Sequence, residues 1–138
     1  MHKLFGIETR GPGLYEFTRS VAGWVAEAAM DEALLTLFIR HTSASLVIQE
    51  NADPEVQTDL AAYVDRLVPP ASDPAMAYLR HVYEGPDDMP AHIKAALLPV
   101  SLTIPVIGGR MALGTWQGIY LFEHRSRPHR REVAALLR

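Results

Sequence analysis

Cysteine is absent from this chain of 138 residues. That excludes disulfides, a thiol nucleophile and any cysteine-ligated zinc site. No apolar run reaches membrane-spanning length and no signal-peptide layout opens the chain, so the sequence predicts a cytoplasmic protein with no membrane partner. A strong excess of basic charge is also lacking: a formal net charge of -3 gives no support for nucleic-acid binding. A Walker-type loop and a glycine-rich dinucleotide loop are both missing. Any phosphate must therefore be held by scattered donors, for which Thr42, Ser43, Lys94 and Thr115 are candidates, with Arg125 as an outer partner. There is no repeat and no low-complexity linker. At 49% hydrophobic residues the chain has material for one domain, 1–138, with a real core.

Strands and helices alternate irregularly. Residues 1 to 16 read as a strand or hairpin arm broken at Gly11-Pro12-Gly13. Thr18 or Ser20 can cap a helix burying Val21, Trp24, Val25, Ala28 and Ala29. Leu34–Ile39 and Ser45–Gln49 read as strands joined by a polar kink at Thr42-Ser43. Asp53-Pro54 opens a second helix, with Val56, Leu60, Tyr63, Val64 and Leu67 as its inner face. Residues 71 to 90 form a loop, and Asp88 caps a short helix over 91 to 98. Leu102–Ile107 is a strand whose Pro105 belongs at an edge or bulge. Gly108-Gly109 marks a hairpin. Met111–Leu113 and Ile119–Glu123 are return strands, and helix propensity favours a helix over Val133–Leu137. The pattern argues for α+β with a largely antiparallel sheet.

Three groupings carry chemistry. His81, Glu84, Asp88 and His92 combine imidazole with carboxylate, which suits a divalent ion (zinc, manganese or magnesium) or acid–base work near neutral pH. The spacing matches no known zinc motif, and Gly85-Pro86 prevents placing both histidines on one helical face. Against that stands a plainer reading, with Asp88 a helix cap and His81 a solvated loop residue. His41, at a strand end before Thr42 and Ser43, can ligate a metal or bind an anion; the plainer role is a turn whose hydroxyls satisfy local backbone. In Gly114-Thr115-Trp116-Gln117-Gly118-Ile119, Trp116 offers a flat face and Gln117 paired hydrogen bonds. A heteroaromatic ring such as a pyrimidine fits both, although Trp116 also suits a core or subunit interface. Glu123 reads as a ligand or base, or as a partner of Arg125 or Arg127, in a tail from Arg125 to Arg131 expected on the solvated surface.

Ser101-Leu102-Thr103-Ile104-Pro105-Val106, Gly109 and the Gly114–Ile119 segment together resemble the signature of the YjbQ/UPF0047 family. His41-Thr42-Ser43-Ala44-Ser45 and Glu50-Asn51-Ala52-Asp53-Pro54 resemble its earlier block, and His81, Glu84-Gly85, Asp88 and Ala91-His92-Ile93-Lys94 its central one. Pro86-Asp87 departs from it, where many members carry Asn or Ser. The resemblance implies a compact α+β homotrimer in the cytoplasm, with sites near subunit boundaries and a strand, not a helix, at the C-terminus. It further implies thiamine-phosphate synthase-like transfer, joining a pyrimidine pyrophosphate to a thiazole phosphate, an activity shown by some members. On this reading His41, His81 and His92 bind a divalent ion or shuttle protons. Glu84 and Asp88 serve as ligands, orienters or bases. Thr42, Ser43, Lys94, Thr115, Trp116, Gln117 and Glu123 hold a small phosphorylated metabolite. A competing expectation is a non-catalytic trimeric module that binds a metabolite or metal.

Overall fold

The computed structural model describes residues 1–138 as eight strands and three α-helices, in the order β1 (His2–Thr9), β2 (Gly13–Glu16), α1 (Thr18–Glu27), β3 (Glu32–Ile39), β4 (Ala44–Glu50), α2 (Pro54–Leu67), α3 (Asp88–Leu97), β5 (Ser101–Ile107), β6 (Arg110–Met111), β7 (Gln117–Glu123) and β8 (His129–Leu137). Every strand pairing is antiparallel. Two sheets result, β1-β8-β3-β5-β6 and β2-β7-β4. The α+β class with antiparallel pairing is as the sequence pattern argued, but the strands divide between two sheets rather than forming one.

The main core lies between the sheets and under α1. Val21, Trp24 and Val25 of α1 meet Phe5, Leu35, Leu37 and Ile39 from the first sheet and Leu46, Ile119 and Leu121 from the second. A smaller cluster, Val47, Val64, Tyr120 and Phe122, sits where α2 covers the other face of the second sheet. β8 is buried between β1 and β3, with Val133, Ala135 and Leu137 inward at period two. Ladder bonds on both sides outweigh the helix propensity of that Ala- and Leu-rich segment. Gly108 and Gly109, at φ 59 and 72, make the tight turn their positive angles suit. Pro105 lies at the margin of β5, where only the two-residue β6 pairs beyond it.

Several local expectations change. Thr18 and Ser20 do not cap α1; Phe17 holds that position, and Thr18 Oγ1 instead accepts the Ile119 N–H at 2.8 Å and donates to Glu16 at 2.7 Å. Ala29 is exposed and left-handed, ending the helix rather than filling the core. On α2 only Val64 is buried, while Tyr63 and Leu67 face outward. Asp53 does cap α2, accepting from Glu55 N at 2.9 Å. Asp88 is not the cap of α3: it is the helix's own first residue, with a buried carboxylate turned to other partners. The Met111–Leu113 strand shortens to Arg110–Met111.

Candidate functional site

The site forms where the loop before α3, the first turns of α3 and the chain reversal after β3 meet. Glycine and proline in the loop stop the helix from starting before Asp88, so His81 and Glu84 fold back over its first turn. His81 Nε2 lies 2.7 Å from Asp88 Oδ2 and 2.8 Å from Glu84 Oε2. His92, one turn along α3 from Asp88, brings its Nε2 to 3.3 Å from the same carboxylate oxygen. One ligand atom each from His81, Asp88 and His92 thus lies within 4.8 Å of the others. The four residues of the central sequence grouping are together, although no single helical face carries them.

Two devices fix the arrangement. His92 Nδ1 donates to the Thr42 carbonyl at 2.9 Å, which fixes the ring and turns Nε2 towards the cluster. Metal-ligating histidines are held this way by backbone carbonyls. Arg125 then ties the helix start to the end of β7: its Nε reaches Asp87 at 2.9 Å and its Nη1 reaches Asp88 Oδ1 at 2.5 Å. Burial alone would raise the Asp88 carboxyl. Hydrogen bonding from His81 and Glu84 and the charge of Arg125 outweigh that and hold it below its ordinary value. An ionised, buried carboxylate flanked by two imidazoles is a donor set that fits a divalent ion of the zinc or manganese type.

His41 stands beside this group rather than in it. Together with Thr42, His92, Ala95, Ala96 and Val100 it lines a depression of about 290 Å³. Its Nε2 accepts the Glu132 N–H at 2.9 Å, and Arg131 Nη1 lies 3.4 Å from Nδ1. A neutral imidazole has one acceptor nitrogen, and the shorter bond assigns it to Nε2, so that nitrogen has no lone pair left for a metal. Burial first, then Arg131, lowers the His41 pKa, which keeps the ring neutral.

The remaining candidates are spread out. Ser43 is buried and accepts from Arg131 Nη2 at 2.9 Å. Glu123, fully buried, takes two bonds from Arg131, at 2.8 Å from Nε and 2.6 Å from Nη2, and one from Thr9 at 2.6 Å. Neither Arg125 nor Arg127 is its ionic partner. Lys94 is also buried and pairs with Asp65 at 2.6 Å, so it is not a solvated helix residue. Thr115, Trp116 and Gln117 lie at the other end of β7 from Arg125, and Trp116 is exposed. Gln117 Oε1 accepts the Gly114 N–H at 2.7 Å and closes the turn before β7.

Sequence reasoning missed Arg131 and His124 as structural partners and gave Arg125 to phosphate or Glu123, whereas it pairs with Asp87 and Asp88. Arg131 carried a usable signal: it shares the parity of Val133, Ala135 and Leu137 and so had to point inward. The expectation of a wholly solvated basic tail is corrected there, since Arg131 is pinned between Glu123 and Ser43 where β3–β4 and β7–β8 change sheets.

The comparisons agree with this fold. The profile described as UPF0047 protein YjbQ-like matches residues 3–137. A UPF0047 protein of Synechocystis is 52% identical over 127 residues, covering 92% of this chain and 84% of that protein. The UPF0047 protein YjbQ of Escherichia coli O157:H7 is 39% identical over 136 residues, covering 98% and 95%. Among solved structures, an uncharacterised YjbQ/UPF0047 protein of Clostridium acetobutylicum superposes with a TM-score of 0.86 at 31% identity, covering 99% of each chain. A hypothetical protein of Aeropyrum pernix gives 0.87 at 26% identity, covering 100% of this chain and 98% of the other.

Proposed function

The chain belongs to the YjbQ-like UPF0047 family, and from that premise we propose that it is a metal-assisted small-molecule enzyme, with a divalent ion held by His81, Asp88 and His92. The observation that carries the reading is the pre-set geometry of His92: its Nδ1–H is already spent on the Thr42 carbonyl, and its Nε2 faces an ionised, buried carboxylate. Glu84, more exposed than Asp88, is placed to accept a proton or to orient His81. His41 and Thr42 form the wall beside His92 against which a substrate rests.

The reaction we assign is thiamine-phosphate synthase-like. A thiazole phosphate nitrogen attacks the methylene carbon of a pyrimidine pyrophosphate, a C–N bond forms, and the C–O bond to pyrophosphate breaks. A bound divalent ion would supply neutralisation of the departing charge. Trp116 and Gln117 enter the same reading through a homotrimer. Within one chain they lie roughly 25 Å along β7 from Arg125, from the rise per residue of a strand. They would therefore reach a ring held on a neighbouring copy. Support for assembly comes from the outer face of the five-stranded sheet, which leaves Leu4, Leu34, Phe38 and Leu136 exposed.

The test is turnover of the two phosphorylated precursors with zinc, manganese or magnesium added. Wild type is expected to release thiamine phosphate and pyrophosphate in equal amounts. His92→Ala and Glu84→Gln are expected to lose on the order of a hundredfold or more while still folding. Equal rates in all three proteins would remove these roles. Ligand-induced heat stabilisation without product would favour the non-catalytic module.

A further inference from the structure

We propose that the depression beside His92 is the subsite for an uncharged nitrogen heteroaromatic ring, and that Ala96 sets the size of ring it admits. The inference rests on the small-molecule site proposed above and names the part of the substrate that lies there. Asp88 and His92 begin a stripe along α3, and Ala95 and Ala96 continue it three and four residues beyond His92. The helix face that carries the cluster therefore runs on as a floor with no side chain longer than a methyl group. His92 belongs to both parts: its Nε2 turns to Asp88 Oδ2, and its ring also lines the depression.

The lining is open to an entering molecule. Thr42, Ala96 and Val100 are exposed, and His41 and His92 are half-buried, so a ligand reaches them with no rearrangement. The volume of about 290 Å³ stands at the lower end of small-molecule sites, which begin near roughly 300 Å³. That is room for one ring with small substituents. Thr42 spends its carbonyl on His92, and its exposed hydroxyl remains to donate to a ring nitrogen or to accept from an amino group on the ring.

Charge selects the ligand class. No lysine or arginine lines the depression. The two cations next to His41 are Arg40 along the chain and Arg131 across from it. They are taken by Glu132 at 3.3 Å and by Glu123 at 2.6 Å. The His41 ring is itself neutral, since burial and then Arg131 lower its pKa. A phosphate or carboxylate placed here would lose hydration and meet no positive charge in return. Two imidazoles and three aliphatic side chains instead suit a flat, weakly polar ring.

The experiment uses the full chain labelled with 13C at the alanine methyl groups. The probe is 4-aminopyrimidine, titrated in mildly alkaline buffer where the ring is uncharged, with a chelator present so that no metal takes part. The expected result is a saturable shift of the Ala95 and Ala96 methyl signals. Ala96→Ser removes one of those signals, which assigns it, and is expected to keep the affinity. Ala96→Leu is expected to bind at least about fivefold more weakly, because the larger side chain fills the floor. It folds, since leucine is nearly as good a helix former as alanine and the position is exposed. Thr42→Val, which keeps the carbonyl that holds His92, is expected to bind about three- to tenfold more weakly. Pyrimidine-4-carboxylate, the same ring with an anion attached, is expected to be the weaker probe. No saturable shift, an unchanged affinity in Ala96→Leu, or equal binding of the carboxylate would each overturn the proposal. None of these outcomes bears on the metal reading, which is measured without chelator.

Discussion

Thr42 acts through its backbone. Its carbonyl orients His92, so the hydroxyl that made it a candidate anion donor is not what ties it to the site. What holds the segment in place is the neighbouring Arg131, bound to Ser43 through both Oγ and the carbonyl and neutralised by Glu123. Burial alone would raise the Glu123 carboxyl, but hydrogen bonds from Arg131 and Thr9 outweigh it and hold the pKa below its ordinary 4.5. A depressed carboxyl contributes stability above its unfolded pKa and loses it as pH falls through the folded one. Glu123→Gln strands a buried guanidinium and is expected to cost about 3–5 kcal/mol at neutral pH by denaturant titration. Its stability should also decline less steeply than wild type below pH 4.5, because the titrating group is gone. An acid limb of equal slope in both proteins would show that Glu123 does not drive it.

At the scale of elements, starts and stops that depend on one local interaction were legible. Asp53-Pro54 announced α2, and the cap is present. Asp53→Ala is expected to lower stability by about 1 kcal/mol, read as a shift in the denaturation midpoint, with any activity unchanged. Where a side chain had a distant partner, local reasoning chose wrongly. Thr18 looked like a cap but bonds to Ile119, 101 residues away. Asp88 likewise looked like a cap and instead faces His81 and Arg125. At β8 propensity favours a helix and the family resemblance a strand; the physical reason for the strand is pairing on two sides, which only the sheet reveals. For the site, sequence placed His81, Glu84, Asp88 and His92 in one group correctly. It gave no means to see that His41 would be turned towards Glu132 and Arg131.

At the scale of the whole molecule, the outer face of the five-stranded sheet leaves a row of large apolar side chains exposed. Pairing sets Leu4 against Ala134 and Ala134 against Phe38, so the exposed side chains form a row across three strands. A trimer that buries this row predicts that Phe38→Lys lowers the solution mass measured by light scattering from three chains towards one, without loss of the far-ultraviolet strand signal. A monomeric wild type would contradict the assembly. The central claim, that the cluster before and within α3 is a metal site, is tested most directly by metal content. Elemental mass spectrometry would be run on untagged protein, wild type and His92→Ala, after supplementation with divalent ions and dialysis. The account predicts close to one zinc or manganese per wild-type chain and loss of that metal in the variant. Metal-free wild type, or equal metal in both proteins, would contradict it.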